Sequence, residues 1–447
     1  MKIGPMRSGT AAACVAVSTL LTAAGAAMGQ ASVPAAFVCN NGNLEGSVSV
    51  YTINPDGSLN FIEKVITGAR QSGEPTNPGN NAYSISITPS GRFLATSHAT
   101  ALTNEQITIL EVAGAARVSI YATATTPDSP LDLAWIDDTH LAVTRTRTSG
   151  PNDVIIYAWD ENARTLTEID RDSTPGFTSS LLVSNNRDFL FAPVSPLGGG
   201  SSITTFRIEP DRTINFSDLV FTDGAYPLGP CMSPDGRHVY AGSGTSSGGS
   251  RVTGLEFFDG PGQLVVLPTS PYFSPGSSPK QCIVSPDGLW LFAGHGSDGT
   301  IRIFARDPAT GALTDTGNMY DVGSQSSLGD MKALRLGDLD LLLFTDKETF
   351  DGTPRGTFSA EIMPDGTLRI ITQRLDGLGI SPNDIAVWAG PQTPVCPADW
   401  DNSGGIDGDD ITAFFADWQA GEADIDGSGG TDGDDITFFF VRWQAGC

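Results

Sequence analysis

Val284-Ser285-Pro286-Asp287-Gly288-Leu289-Trp290-Leu291-Phe292-Ala293 and Met232-Ser233-Pro234-Asp235-Gly236-Arg237-His238-Val239-Tyr240-Ala241 are two copies of one phrase, roughly fifty residues apart. Each phrase has an apolar stretch, a Ser-Pro-Asp-Gly turn and a second apolar stretch. Asp-Gly between apolar runs signals a hairpin, because the turn needs residues that tolerate positive φ. Weaker copies of the turn stand at Thr88-Pro89-Ser90-Gly91 and Ser184-Asn185-Asn186-Arg187. The strands predicted after the turns are 93–96, 140–143, 189–192, 238–241, 290–293 and 341–344, with an earlier copy at Phe37-Val38-Cys39-Asn40. That makes seven units of a long-period repeat.

Most units continue with an alternating strand: 48–53, 107–112, 154–159, 203–208, 252–257 and 301–305. Further Asp-Gly turns, at Asp56-Gly57 and Asp365-Gly366, lead into a fourth. Four strands in each of seven units predict a mainly β chain folded as a seven-bladed β-propeller. The first unit starts at its second strand. Residues 384–388, after the seventh unit, can supply the missing one, so that the two ends share a blade and no sheet edge is left open.

These units resemble the YVTN-type repeats of the lactonase-like seven-bladed propellers over roughly residues 35–390, most closely at Phe37-Val38-Cys39-Asn40 and Gly46-Ser47-Val48-Ser49-Val50-Tyr51. The resemblance implies the fold. It also implies, as one reading, a lactone hydrolase or a cycloisomerase acting on carboxylated muconates. Enzymes of that family carry a paired His before an early turn, where this chain reads Asp128-Ser129-Pro130-Leu131-Asp132-Leu133.

After a linker at 391–397 the composition changes. Asp399, Asp401, Ser403, Gly405, Asp407 and Asp410 follow the ligand spacing of an EF-hand loop, with Gly404 at its sharp turn. The pattern returns at Asp424, Asp426, Ser428, Gly430, Asp432 and Asp435. A hard cation needs that many oxygens, and the crowded carboxylates repel one another without it. Behind the loops, Ile411, Phe414, Phe415 and Trp418, then Ile436, Phe439, Phe440 and Trp443, mark one face of a helix. Residues 398–447 thus resemble a type I dockerin: a small α-helical domain with two Ca2+ ions. The resemblance implies a cohesin-like or cell-surface protein partner. It also implies a disulfide between Cys396 and Cys447, because the ends of such a pair meet through its internal two-fold.

Residues 1–31 read as a cleaved signal peptide, with Lys2 and Arg7 ahead of an Ala-rich apolar run and small residues near Gly29 and Ala31. The expected location is therefore extracellular or periplasmic, where disulfides persist. Cys231 and Cys282 fall on first strands of neighbouring units, but a one-residue offset from their turns points them to opposite faces; Cys39 reads as a buried thiol. The net charge of −26, with charged residues at 17% against 39% hydrophobic, argues against nucleic acid and anionic membranes. No stretch of the mature chain is expected to span a bilayer.

Ligands of propellers meet at one end of the central channel. Residues expected there are His98, His295, Arg145, Lys280, Asp330, Lys332, Asp346, Lys347, Asn383 and Asp384. A lactonase needs a base for water and a cation for the oxyanion, for which His295 or Asp346 with Lys280 or Lys332 are the candidates. Without the paired His, the sequence ranks a secreted binding or scaffold protein first. Its rim would take a glycan or small ligand and its calcium tail would dock to a partner. An exported lactonase or cycloisomerase is the alternative.

Overall fold

The computed structural model describes residues 32–42, 45–68, 81–99, 106–126, 129–146, 152–195, 201–222, 225–244, 249–323, 326–347, 355–390, 398, 400, 408–421, 423, 425 and 430–445. The strands form seven antiparallel sheets, one per repeat unit, and the chain passes through them in order. Blade one is Pro382–Trp388, Ala35–Gly42, Glu45–Ile53 and Leu59–Ile66, counted from the channel outward. Pro382–Trp388 pairs with Ala35–Gly42, with Phe37 opposite Ala386. The last strand of the propeller thus closes the first blade, as the sequence predicts. The innermost strands of blades two to seven are Ala82–Ile87, Ser129–Trp135, Leu182–Val183, Ala225–Met232, Pro279–Val284 and Ser327–Leu336.

The core is divided into seven apolar clusters, each shared by two adjacent blades. Phe37 and Val50 of blade one meet Leu94 and Leu110 of blade two. At the closing gap, Leu341 and Leu343 of blade seven meet Val38, Tyr51 and Ile385 of blade one. No blade buries both faces alone, so burial drives ring formation. The turns behave as their sequences require. Gly236 and Gly288 take φ of 70° and 74°, and each donates its N–H to the Ser that opens its turn, at 2.9 Å. Arg187 fills the same position in blade four at φ 64°. Its guanidinium donates to the carbonyls of Ile136 and Trp135 at 2.6 and 3.3 Å, which offsets the strain.

Cys39, Cys231 and Cys282 are buried free thiols. Cys396, Cys447 and the loop residues Asp399, Asp401, Ser403, Gly405, Asp407, Asp424, Asp426 and Ser428 lie outside the described residues. Behind the loops stand two helices, Gly408–Ala420 and Gly433–Ala445. Their aromatic stripes pack together, with Phe414 and Phe439 stacked at 4.2 Å between ring centres. No helix among the described residues is long and apolar enough to cross a membrane.

Candidate active site

In six of the seven innermost strands the pairing with the second strand slips at the same height. The pairing jumps from Ala82 to Ile85, from Pro130 to Leu133, from Leu228 to Cys231, from Pro279 to Gln281, from Leu328 to Met331 and from Pro382 to Asp384. A bulge leaves residues unpaired and re-aims their side chains. Tyr83 and Ser84, Leu131 and Asp132, Gly229 and Pro230, Lys280, Gly329 and Asp330, and Asn383 are the residues skipped. Hydroxyls of the second strands take up the freed N–H groups. Ser84 N donates to Ser97 Oγ at 3.1 Å, Asp132 N to Thr144 Oγ1 at 2.9 Å and Asp330 N to Thr345 Oγ1 at 3.0 Å.

The bulges surround a cavity of about 600 Å³ lined by Tyr83, Ser84, Asp132, Lys280, Asp330, Lys332, Asn383 and Asp384, among others. Five of its polar side chains form one hydrogen-bonded chain. Ser84 Oγ lies 2.5 Å from Asp132 Oδ1 and 2.8 Å from Asp384 Oδ2. Asp384 is hydrogen-bonded to Asp330, and Lys332 Nζ sits 2.5 Å from Asp330 Oδ2 and 3.9 Å from Asp384 Oδ1. The carboxylates also bolt neighbouring blades together. Asp132 accepts from Leu181 N at 2.6 Å and Asp384 accepts from Ile85 N at 2.9 Å. On the far side, Lys280 Nζ approaches Asn383 Oδ1 at 3.3 Å, and Lys347 donates to the same oxygen.

These charges are unequal. Burial pushes the Asp132 carboxyl up to about 6, against hydrogen bonds from Ser84 and Leu181 that favour its anion. Burial, with the Asp330 carboxylate beside it, drives Asp384 well above the usual carboxylate range. Burial also opposes charge on Asp330, yet Lys332 holds that carboxyl below its ordinary value. Lys332 is raised in turn: burial works against its ammonium, and Asp330 and Asp384 outweigh it. Burial lowers Lys280 and pushes Tyr83 up to about 12. One cavity therefore holds a carboxyl pushed up to about 6, a second driven well above the carboxylate range and an ammonium favoured by its anionic neighbours. These can serve as base, acid and oxyanion partner.

Of the residues the sequence places at the channel end, the cavity gathers Lys280, Asp330, Lys332, Asn383 and Asp384, with Lys347 reaching Asn383. His98, Arg145, His295 and Asp346 are not among its lining residues. His295 is wholly buried and held by Ser274 Oγ at 3.0 Å and Thr300 Oγ1 at 3.1 Å. Asp346 is wholly buried near Arg374, Arg355 and Ser326. His98 lies between Thr96 and Thr108, and Arg145 pairs with Asp153. All four stand near the ends of second strands, with their side chains turned into the protein. Ser84 and Asp132 escape a search by residue type. Their signal is positional: Ser129-x-x-Asp132, Ser327-x-x-Asp330 and Ser381-x-x-Asp384 share one register.

In the tail, Asp410 and Asp435, the twelfth residues of the predicted loops, lie in the first turns of the two helices. Asp410 and Asp435 are wholly buried, and Asp435 accepts from Ile425 N at 2.9 Å and Asp432 N at 2.6 Å. Asp432 and Gly430 are exposed.

Two stretches of the chain, residues 34–177 and 262–328, match the family model described as "Lactonase, 7-bladed beta-propeller". No curated protein matches the chain. Among solved structures, the periplasmic gluconolactonase of Pseudomonas aeruginosa is similar at 20% identity and a TM-score of 0.61, covering 80% of this chain and 100% of that one. A functionally unknown protein from Desulfotomaculum acetoxidans (14% identity, TM-score 0.59) and a protein from Lactobacillus plantarum (12%, 0.60) each cover 80% of this chain and 99% of their own. Together with the seven four-stranded blades and their shared closing blade, these matches identify the domain as a lactonase-like seven-bladed β-propeller.

Proposed function

We propose that the propeller hydrolyses a lactone in the cavity at its channel, which reverses the order of the two readings drawn from the sequence. The observation that carries this is the chain Asp132–Ser84–Asp384–Asp330–Lys332, in which burial and charge have separated the carboxyl pKa values. The family model and the gluconolactonase of the same fold support the same chemistry. Asp132, ionised above about pH 6, takes a proton from water as the water oxygen adds to the lactone carbonyl. The Lys332 ammonium faces the oxyanion. The acyl C–O bond then breaks, and the protonated Asp384 gives its proton to the departing ring oxygen. Ser84 Oγ touches both Asp132 and Asp384, so it can pass the proton back and reset the site. A pH-stat assay on the full-length protein with a panel of γ- and δ-lactones tests this. Lys332→Met should lower kcat/KM by about 10²–10³-fold, as loss of an oxyanion partner does. No turnover of any lactone by the wild type would overturn the reading.

The tail is assigned, by the same proposal, to calcium. Asp399, Asp401, Ser403, Asp407 and Asp410 would hold one ion and Asp424, Asp426, Ser428, Asp432 and Asp435 the other, with carbonyls of Gly405 and Gly430. The fit rests on Asp410 and Asp435, two carboxylates wholly buried at the loop ends. Bound calcium would neutralise the loop carboxylates, and the aromatic faces could then stay packed. The export signal and the docking tail together would place the enzyme outside the cytoplasm, held to a protein partner.

A further inference from the structure

The cavity has a second storey. Side chains two residues along a strand point the same way, and the rise is ~7 Å for two residues. Two residues below the polar level, the innermost strands of blades two to six present Ser86, Ala134, Leu182, Cys231 and Ile283, each opposite the equivalent residue of its second strand. All five line the cavity; Ala134, Leu182 and Ile283 are partly exposed, Cys231 is buried, and the one polar member, Ser86, accepts from Trp135 N at 3.2 Å. The matching residue of blade seven is Lys332, but its ammonium reaches up to Asp330 at 2.5 Å and leaves its methylene stem at this level. The volume of about 600 Å³ is that of a site for a drug-sized ligand, of ~300–1,000 Å³. A single hydroxylated ring at the polar level would leave the lower storey to water against an apolar wall.

We infer that the substrate is a lactone bearing an aliphatic arm, which descends from the carboxylate level into this apolar storey. The inference rests on the lactone-hydrolase reading and narrows it. A ring with hydroxyls on every carbon has nothing to offer Ala134, Leu182, Cys231 and Ile283, and would lose hydrogen bonds to water there. An alkyl arm gains by burial at every methylene. The arm would also fix which face of the ring meets Asp132, because a chain held in the channel cannot rotate freely.

The test is a homologous series with the full-length protein: γ-butyrolactone, γ-hexalactone, γ-octalactone and γ-decalactone, with glucono-δ-lactone alongside. The expected kcat/KM rises by about threefold to fourfold for each methylene that enters the lower storey, the fold-change of moving one CH₂ out of water. The rise should stop once the storey is full. Ile283→Asn and Leu182→Asn should each flatten the slope. Rates that are flat or falling along the series, with turnover intact, would overturn the arm and leave the hydrolase standing. If no lactone turns over, calorimetric binding of the matching alkyl γ-lactams decides. Affinity that climbs with chain length supports the apolar storey without the chemistry, and affinity that does not climb removes it.

Discussion

At the residue scale, Asp132 is asked to do two things that conflict. It bolts blade three to blade four through Leu181 N, and it sits buried with a carboxyl raised to about 6. Its unfolded value is about 3.9, so the folded chain binds this proton more tightly. Its contribution to stability is therefore full at low pH and declines as pH climbs from about 4 through about 6. Activity runs the other way. The rate should rise through about pH 6 as Asp132 ionises and fall again once Asp384 loses its proton, giving a bell. Asp132→Asn should abolish turnover and remove the stability loss between pH 4 and pH 6. Lactone hydrolysis and thermal melts across that range check both. Residue type was a poor guide to this site. Histidines attract attention as general bases, yet His98 and His295 are consumed by hydroxyls inside the protein. Aspartates at one register in three blades were present in the sequence, but their neighbours differ and the shared position shows only once the bulges are seen.

At the scale of elements, the seven units and their second and third strands were legible because the turns repeat and the strands alternate. The outer strand of blade five was not. It is split into Gln263–Val266 and Tyr272–Phe273, both paired with Arg251–Phe258, and the break holds Pro268 and Pro271, which have no N–H to donate. The closing strand carries its own lock. A Cβ at Gly91, where φ is +73°, would stand 2.2 Å from the ring of Trp388. The turn of blade two thus packs directly on the last tryptophan of the ring. Gly91→Ala should cost about 1–3 kcal/mol through overpacking and a strained φ. A denaturation midpoint equal to that of the wild type would show that Trp388 does not need this contact.

At the scale of the whole molecule, the chain joins a propeller whose stability is spread over seven shared clusters to a tail with one small core. The tail segment 396–447 holds eleven Asp and one Glu against one Arg. On the calcium reading proposed above, a domain so small and so charged would depend on its ions for folding. Calorimetry of the calcium-stripped protein should find two ions per chain, and Asp410→Ala and Asp435→Ala should each leave one. Saturation at a hundred times Kd should stabilise the tail by about 2.7 kcal/mol. Absence of heat at millimolar calcium would remove the calcium assignment. The two helices of the tail were legible from the spacing of their aromatic residues. What the propeller acts on was not, because its wall is assembled from all seven blades.

The bulges have an evolutionary consequence. Ser97, Thr144 and Thr345 satisfy the loosened backbone whatever side chain the bulge carries. Chemistry at the channel is thereby uncoupled from strand pairing. Each bulged strand offers a slot that can be rewritten singly, as the lysine, serine and aspartates already occupying these slots suggest. Such an arrangement lets substrate preference drift by one-step replacements, each leaving the scaffold able to fold and be inherited.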